Sequence, residues 1–413
     1  MKAHLTLLGL LVGMAGAGWG ADLPEPVLPQ GVGVNIHFAR GHERELDLIA
    51  AAGFRFIRMD FGWGGIERRK GEYDWAEYEE LTANLERRGL RPIYILDYSN
   101  EIYEPGASPQ HPESVAAFAR WAGAGAAHFK GRRVVWEIWN EPNIAFWKPK
   151  PDVNQYIALA RATCEAVRRA DPQATLIAPA SSEFPWPFLE AICQGGLLEQ
   201  LDAVSVHPYR QARRPPETAF ADYTRLRGLI ERYAPPAKKN LPIVSGEWGY
   251  PTHNRGVSLE TQAAFLARQQ LGNLWQGVPL SIWYDWKNDG NDPAYNEDNF
   301  GTVYPDLRPK PAYEALRVLT RELTGYRIVR RLEAGNPAAH VLLLANGAGQ
   351  QKLAAWNLTE EAAASVEIGA HKAGEIAAVN GKGEPLGVNV EQGRLQLALT
   401  GLPQYVTLKF GLR

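Results

Sequence analysis

The repeating unit of this chain is clearest in residues 75–97, which read WAEYEELTANLERRGLRPIYILD. Its first half places Tyr78, Leu81 and Leu85 three and four residues apart, with charged side chains elsewhere on the helical wheel, so it predicts an amphipathic helix. Gly89 is a residue that stops helices, and the apolar run after it predicts a buried strand. One helix, one turn and one strand therefore follow each other in this stretch.

The same alternation continues on both sides of this unit. The predicted strands are Gly31–Phe38, Phe54–Phe61, Arg91–Asp97, Val134–Trp139, Ala174–Pro179, Ala203–His207, Leu241–Gly246 and Leu280–Asp285. The predicted helices are Glu43–Ala52, Trp75–Arg88, Pro112–Phe129, Asn154–Ala170, Trp186–Cys193, Thr218–Tyr233, Leu259–Trp275 and Pro311–Leu323. Near-continuously apolar strands that alternate with helices indicate a parallel sheet, and this repeat predicts an α/β fold, a (β/α)8 TIM barrel.

An open doubly wound sheet is the alternative arrangement of the same elements. Such a sheet usually carries a glycine-rich phosphate-binding turn after its first strand, and residues 35–40, NIHFAR, do not form one. We therefore expect a closed barrel domain over residues 21–323.

The pattern changes from about Tyr326. Short runs separated by Gly, Asn and Pro, without a helical period, predict a small C-terminal antiparallel β domain of the β-sandwich type over residues 326–413. Its predicted strands are Val341–Leu344, Lys352–Asn357, Ser365–Ile368, Glu375–Val379, Arg394–Leu399 and Gln404–Phe410. Trp356 is its only tryptophan, which favours a packing role over a carbohydrate-binding module.

The first 20 residues have the layout of a secretory signal peptide. Lys2 gives a positive start, residues 5–14 are an apolar run, and small residues follow at positions 18 and 20. The run is too short to span a bilayer, so a membrane anchor is the weaker alternative. We expect a secreted or periplasmic protein that is not an integral membrane protein.

The composition excludes several classes of protein. Lys and Arg number 44 against 46 Asp and Glu, so no basic surplus exists to attract a nucleic acid. Cys164 and Cys193 cannot build a disulfide-dense scaffold, and they could either pair or remain as buried thiols. The histidines show no metal-ligand spacing, and the Asn- and Asp-rich residues 288–298 do not match a calcium-hand loop. We expect neither a cofactor nor a metal.

Two glutamates lie where barrel strands end, which is where barrel enzymes carry their catalytic groups. Strand 4 ends in WEIWNEPN, residues 136–143, which contains Glu141, and strand 7 ends in SGEWGY, residues 245–250, which contains Glu247. Glycoside hydrolysis requires two such carboxyls, one protonated and one ionised. Arg58, at the end of strand 2, can keep one carboxylate ionised. Glu137, deeper in strand 4, is expected to be a structural partner of a basic residue.

The motifs at these strand ends resemble those of a known clan. Residues 139–143, WNEPN, resemble the Asn-Glu-Pro signature of glycoside hydrolase clan A, whose retaining enzymes are built on (β/α)8 barrels, and Gly-Glu-Trp at 246–248 resembles its nucleophile strand. With its additional β domain, the chain is most similar to glycoside hydrolase family 39, which includes exopolysaccharide endoglycosidases. The cellulase-like family 5 is the second choice.

The resemblance implies a role for each matching residue. Glu141 would be the general acid/base, Glu247 the nucleophile, and Asn140 the partner of the sugar 2-hydroxyl. In a retaining enzyme the two carboxyls lie about 5–5.5 Å apart. The residues implied to orient the nucleophile and line the sugar site are Arg58, His207 and Tyr209.

Further sugar contacts are expected at the same rim. His37 ends strand 1, and Trp248, Trp283 and Trp286 could offer flat faces to a pyranose ring, with one of the last two as the floor of the site. We therefore predict an exported retaining β-glycoside hydrolase that cleaves a β-linked oligo- or polysaccharide through a covalent glycosyl-enzyme. The alternatives are a transglycosylase that uses the same residues and a catalytically silent carbohydrate-binding barrel.

Overall fold

The computed structural model describes residues 22–210, 214–358 and 362–412, so the predicted signal peptide lies outside the described residues. The strands of its first sheet are β1 (Val32–Asn35), β2 (Phe56–Gly62), β3 (Arg91–Asp97), β4 (Val135–Ile138), β5 (Thr175–Ser182), β6 (Ala203–His207), β7 (Ile243–Trp248) and β8 (Ser281–Trp283). They pair in parallel in chain order, and β8 pairs with β1. The predicted (β/α)8 barrel is therefore confirmed.

The barrel strands are separated by helices that cover its outside. The α-helices of the described residues are α1 (Glu43–Ala52), α2 (Trp63–Ile66), α3 (Ala76–Glu86), α4 (Pro112–His128), α5 (Val153–Ala170), α6 (Trp186–Gln194), α7 (Phe220–Tyr233), α8 (Leu259–Trp275) and α9 (Pro311–Leu323). The single turn α2 was not predicted, because it is too short to show a helical period. None of these helices is long and apolar enough to cross a membrane.

Local signals in the sequence explain where helices begin and end. The side chain of Asp152 accepts hydrogen bonds from the backbone N–H groups of Asn154 and Gln155 at 2.9 and 3.1 Å, which satisfies free donors at the start of α5. Gly53 ends α1 with φ 95°, a left-handed conformation that favours glycine. Cys164 in α5 and Cys193 in α6 are buried and free, so the structure has the unpaired alternative.

The barrel interior begins with an apolar floor at the end where the strands start. The floor consists of Leu23, Phe56, Ile93, Val135, Ile177, Ala203, Val244, Leu280 and Ile282. Because side chains alternate along a strand, Arg58 points inward two residues after Phe56, and Glu137 does so two residues after Val135. A polar layer therefore lies above the apolar floor, towards the carboxyl ends of the strands.

The predicted C-terminal antiparallel β structure is also confirmed. Its strands are β9 (Tyr326–Arg331), β10 (Ala339–Asn346), β11 (Gln351–Asn357), β12 (Ala362–Glu367), β13 (Ile376–Val379), β14 (Pro385–Leu386), β15 (Asn389–Glu391), β16 (Arg394–Leu399) and β17 (Gln404–Leu408). They form a sheet of order β14-β13-β17-β11-β10-β9 and a second of order β12-β16-β15, with an apolar cluster between them. The edge strand β9 was not predicted, because its exposed basic side chains hide the apolar alternation.

The six-stranded sheet packs on the barrel through one of its two faces. The neighbours Leu342 and Leu343 of β10 point to opposite sides, one into the core of the barrel and one into the cluster between the sheets. The indole N–H of Trp356 donates to Glu217 at 2.8 Å, and Glu217 forms a buried ion pair with Arg268 at 2.7 Å. These contacts agree with the predicted packing role of this part of the chain.

Candidate active site

Arg58 of β2 organises the polar layer, and its side chain is only 1% exposed. Its Nε donates to Glu137 at 2.5 Å, its Nη1 to Glu247 at 2.6 Å and its Nη2 to Asn140 at 2.8 Å. Burial lowers the pKa of Arg58, but the charges of the two glutamates outweigh burial and hold that pKa above its usual value. The planar guanidinium thus joins β2, β4 and β7, and Glu137 is the structural ion-pair partner that its position in β4 predicted.

Glu247 of β7 is held from two sides. One carboxyl oxygen accepts from Arg58, and the other accepts from the hydroxyl of Tyr209 at 2.8 Å. Burial and the charge of Glu247 raise the pKa of Tyr209 well above its usual value, so its hydroxyl keeps the proton that it donates. The side chain of Glu247 is 13% exposed, so a small opening leads to an oriented carboxylate.

Glu141 lies opposite Glu247 in a different environment. Burial raises the pKa of Glu141 to about 7, although Ser182 and the charge of Arg58 oppose this shift. One carboxyl oxygen of Glu141, one ring nitrogen of His207 and one carboxyl oxygen of Glu247 lie within 4.8 Å of one another. The nearest carboxyl oxygens of Glu141 and Glu247 are thus no more than 4.8 Å apart, so both carboxyls can reach one bound group.

An unusual backbone brings two successive side chains into the polar layer. Trp139 has φ 67° and Glu141 has φ 46°, a conformation that residues other than glycine seldom adopt. The N–H of Trp139 donates to the carbonyl of Leu96, and that of Glu141 donates to the carbonyl of Ala180, both at 3.0 Å. The chain after β4 therefore turns so that Asn140 and Glu141 both reach the site, which an extended strand would not allow.

His207 of β6 connects Arg58 to Glu141. Burial lowers the pKa of His207 to about 4, so the ring is neutral near pH 7. Arg58 is only a donor and lies 3.2 Å from Nε2, which makes Nε2 the acceptor and places the proton on Nδ1, 2.9 Å from Glu141. The resemblance implied that His207 orients Glu247. Its ring instead contacts Glu141, and it reaches Glu247 through Arg58.

The three tryptophans predicted to stack on a sugar are buried, so that prediction is wrong. Trp248 and Trp283 are 0% exposed and Trp286 is 1% exposed. Trp248 follows the inward-facing Glu247 and is paired with Trp283 on β8, so both point outward into the core around the barrel. The indole N–H of Trp286 donates to Glu45 of α1 at 2.7 Å.

Tyr284 is a site residue that the sequence reasoning missed. Its half-buried ring lies edge-on to His37 at 5.6 Å and to Phe300 at 5.1 Å. Burial raises its pKa, and the charges of Asp285 and Glu247 add to this shift. The signal was present, because the alternation that turns Trp283 outward turns the next residue inward.

His37 lies at the mouth of the site, where its side chain is 45% exposed and its Nε2 is 3.5 Å from Asp285. With Asp289 these residues form a second group of ligand-type atoms within 4.8 Å of one another. Burial raises the pKa of Asp285 to about 7, although His37 lowers it. Such a group can contact hydroxyls or a cation, and the expectation that no metal is needed stays a prediction.

Comparisons with known proteins agree with this geometry. The family model described as Cellulase (glycosyl hydrolase family 5) matches residues 26–289, more than half of the chain. A β-xylosidase of Caldicellulosiruptor saccharolyticus is 23% identical over 298 residues, which cover 67% of this chain and 59% of that protein. A β-xylosidase of Geobacillus stearothermophilus is 28% identical over 254 residues, which cover 54% and 49%. The chain thus spans about half to three fifths of the length of these curated relatives.

A solved structure extends the likeness to the C-terminal sheets. The family 39 glycoside hydrolase from the gut symbiont Bacteroides cellulosilyticus WH2 superposes with a TM-score of 0.82 and 26% identity, covering 94% of this chain and 81% of that one. The clan predicted from the Asn-Glu-Pro motif is therefore confirmed. The matching family model is the second choice made from the sequence, and the similar structure carries the name of the first.

Proposed function

This chain belongs to the cellulase family of glycosyl hydrolases, family 5, and from that premise we propose that it is an exported retaining β-glycoside hydrolase. It would cleave O-glycosidic bonds of a β-linked oligo- or polysaccharide by double displacement. The observation that carries the proposal is the facing pair Glu141 and Glu247, whose oxygens lie within 4.8 Å while their environments differ.

In the first step, the Glu247 carboxylate attacks the anomeric carbon while Glu141 gives its proton to the departing glycosidic oxygen. One C–O bond forms as the other breaks, and the product is a covalent glycosyl-enzyme. The burial that raises the pKa of Glu141 to about 7 keeps that proton available near neutral pH. Arg58 and Tyr209 hold Glu247 in line, and the amide of Asn140 can bind the sugar 2-hydroxyl.

In the second step, Glu141 is ionised and takes a proton from water, whose oxygen attacks the anomeric carbon and releases Glu247. Two inversions at the same carbon retain the β configuration. The Nδ1–H of His207 donates to Glu141 and stabilises its ionised form in this step. An acceptor sugar in place of water would give transglycosylation by the same residues.

The substrate and the location are part of the proposal. The curated relatives are named as β-xylosidases and the family model as a cellulase, so β-xylosides and β-glucans are the first substrates to test. The signal-peptide layout of residues 1–20 supports export to the periplasm or the medium.

The experiment is the release of reducing ends from β-linked polysaccharides and of the aryl group from aryl β-glycosides. Wild type is compared with Glu247→Ala, with and without azide. Activity that is lost in the variant and partly restored by azide, with an α-glycosyl azide as product, would support a retaining enzyme with Glu247 as nucleophile. Equal activity in the two proteins would contradict that assignment.

Glu141→Gln is the matched control for the acid. It should lose turnover of unactivated polysaccharides and keep glycan binding, because amide and carboxylic acid have the same shape. Products longer than the substrate would favour transglycosylation. Glycan binding by a wild type that releases no product would favour the carbohydrate-binding barrel instead.

A further inference from the structure

The mouth of the cleft carries an aromatic shelf that the chemistry of the two carboxyls does not use. The shelf consists of Tyr98, which follows β3, and Phe146, which follows β4. Their rings are stacked, with centroids 5.8 Å apart and planes 17° from parallel. Phe146 is 44% exposed, so a flat apolar face is open to solvent beside the site.

The shelf is continuous with the reacting centre. The side-chain amide of Asn140 donates to the hydroxyl of Tyr98 at 3.0 Å, and the same Asn140 accepts from Arg58. The Tyr98 ring also lies edge-on to Trp139, with centroids 5.7 Å apart. A ligand that contacts Asn140 therefore meets the shelf next, and the Tyr98 hydroxyl can donate to it.

The two loops that carry the shelf are tied together by hydrogen bonds, and each loop exposes an apolar side chain. The backbone N–H of Ser108 donates to the carbonyl of Lys148 at 3.1 Å, and the N–H of Lys148 donates to the hydroxyl of Ser108 at 2.9 Å. The same loops expose Ile102 (37%) and Ile144 (38%). The stacked rings of Tyr98 and Phe146 form a contiguous apolar surface beside the site, which marks a ligand surface more than apolar residues scattered singly do.

We propose that the shelf binds a further neutral β-linked pyranose of the same glycan chain, beyond the sugar that reacts. The C–H face of a pyranose ring stacks on an aromatic face, and no charged side chain forms part of the shelf. This inference rests on the proposed function and adds a substrate class to it: chains longer than a disaccharide are preferred. The buried tryptophans leave this stacking role to the phenyl ring of Phe146.

The test measures kcat/KM on β-1,4-linked xylo- and cello-oligosaccharides of two to six units. Phe146→Ala should lower kcat/KM about tenfold on a hexasaccharide, the size of one lost stacking contact, and about twofold or less on a disaccharide. Phe146→Tyr should keep the dependence on chain length. The control is Val329→Ala, which shortens an apolar residue that is 54% exposed on β9. It should leave kcat/KM unchanged on both the hexasaccharide and the disaccharide.

The outcomes distinguish a failure of the shelf proposal from a failure of the proposed hydrolase activity. If Phe146→Ala follows wild type at every chain length, the shelf is overturned and the hydrolase stands. If wild type hydrolyses none of these substrates, the proposed function fails for them, and a binding measurement then tests whether the shelf holds a sugar. Xylohexaose and cellohexaose are then titrated into Glu247→Gln with and without Phe146→Ala. About tenfold weaker binding supports the shelf, whereas equal Kd values or no binding of either sugar overturns it.

Discussion

Two regions of the barrel interior lie two residues apart on the same strands and have opposite chemistry. In the apolar floor, Phe56 and Val135 fill space between strands, whereas in the polar layer above it Arg58 and Glu137 are paired charge to charge. Fold and strand register are the same for both. The height of a side chain along its strand therefore decides whether it stabilises the barrel or takes part in chemistry.

The largest effect expected from this comparison is the loss of activity in Glu247→Gln. The amide cannot act as the nucleophile, so kcat should fall by at least about 10⁴-fold. The melting temperature should change by no more than about 3 °C, because the amide keeps the size of the carboxylate and Arg58 keeps Glu137 as a partner. Steady-state kinetics and thermal unfolding check both values. A variant that is unfolded at 25 °C would show that the polar layer also carries the fold.

Arg58→Met should affect activity and stability together. Activity should fall about 10³-fold because Glu247 and Asn140 lose their common donor. The free energy of unfolding should fall by about 3–5 kcal/mol, because Glu137 is 0% exposed and would be left without its partner.

The double variant Arg58→Met, Glu137→Gln separates these two effects. Removal of the stranded charge should restore much of the stability in urea unfolding, while activity should stay low. A double variant that regains activity would show that Arg58 is an ion-pair residue alone, and Arg58 would then join Glu137 as a structural member of the polar layer.

The sequence could predict which residues lie in the apolar floor and the polar layer better than it could predict which side chains contact one another there. Glu141 and Glu247 are recognisable because each ends an apolar strand next to residues that break it. Arg58 connects the two glutamates, because it donates to Glu247 directly and reaches Glu141 through His207. These contacts exist only once the barrel has closed, and no local sequence pattern contains that closure. The tryptophan prediction failed because ring size was given more importance than alternation, and alternation separates Trp283 from Tyr284.

Glu141→Gln tests whether a member of the polar layer also affects stability, because its effect on the free energy of unfolding should depend on pH. The pKa of Glu141 is raised in the folded state from 4.5 to about 7, mainly by burial. The folded protein thus binds this proton more tightly than the unfolded chain does. The contribution of the bound proton to the free energy of unfolding is therefore complete below about pH 4.5, falls as pH rises, and is lost by about pH 7.

The variant cannot ionise, so it should unfold like wild type at pH 4. At pH 8 its free energy of unfolding should exceed that of wild type by roughly 3 kcal/mol. Wild-type activity should decline above about pH 7, as Glu141 loses the proton that it gives to the leaving group. Urea titrations at both pH values measure the difference. Equal stability at pH 8 would mean that solvent reaches Glu141 and that burial does not set its proton affinity.

The smallest expected effect belongs to the apolar floor. Ile177→Val removes one methyl group from a side chain that is 0% exposed, and should lower the free energy of unfolding by about 1 kcal/mol with kcat and KM unchanged. Ile177 is a strict test of this prediction because the same strand carries Ala180, whose carbonyl accepts from the backbone N–H of Glu141 at 3.0 Å. If kcat falls with stability, a floor residue transmits its packing to Glu141 through Ala180, which lies three residues further along β5. Height along the strand would then no longer separate the residues that stabilise from the residues that act.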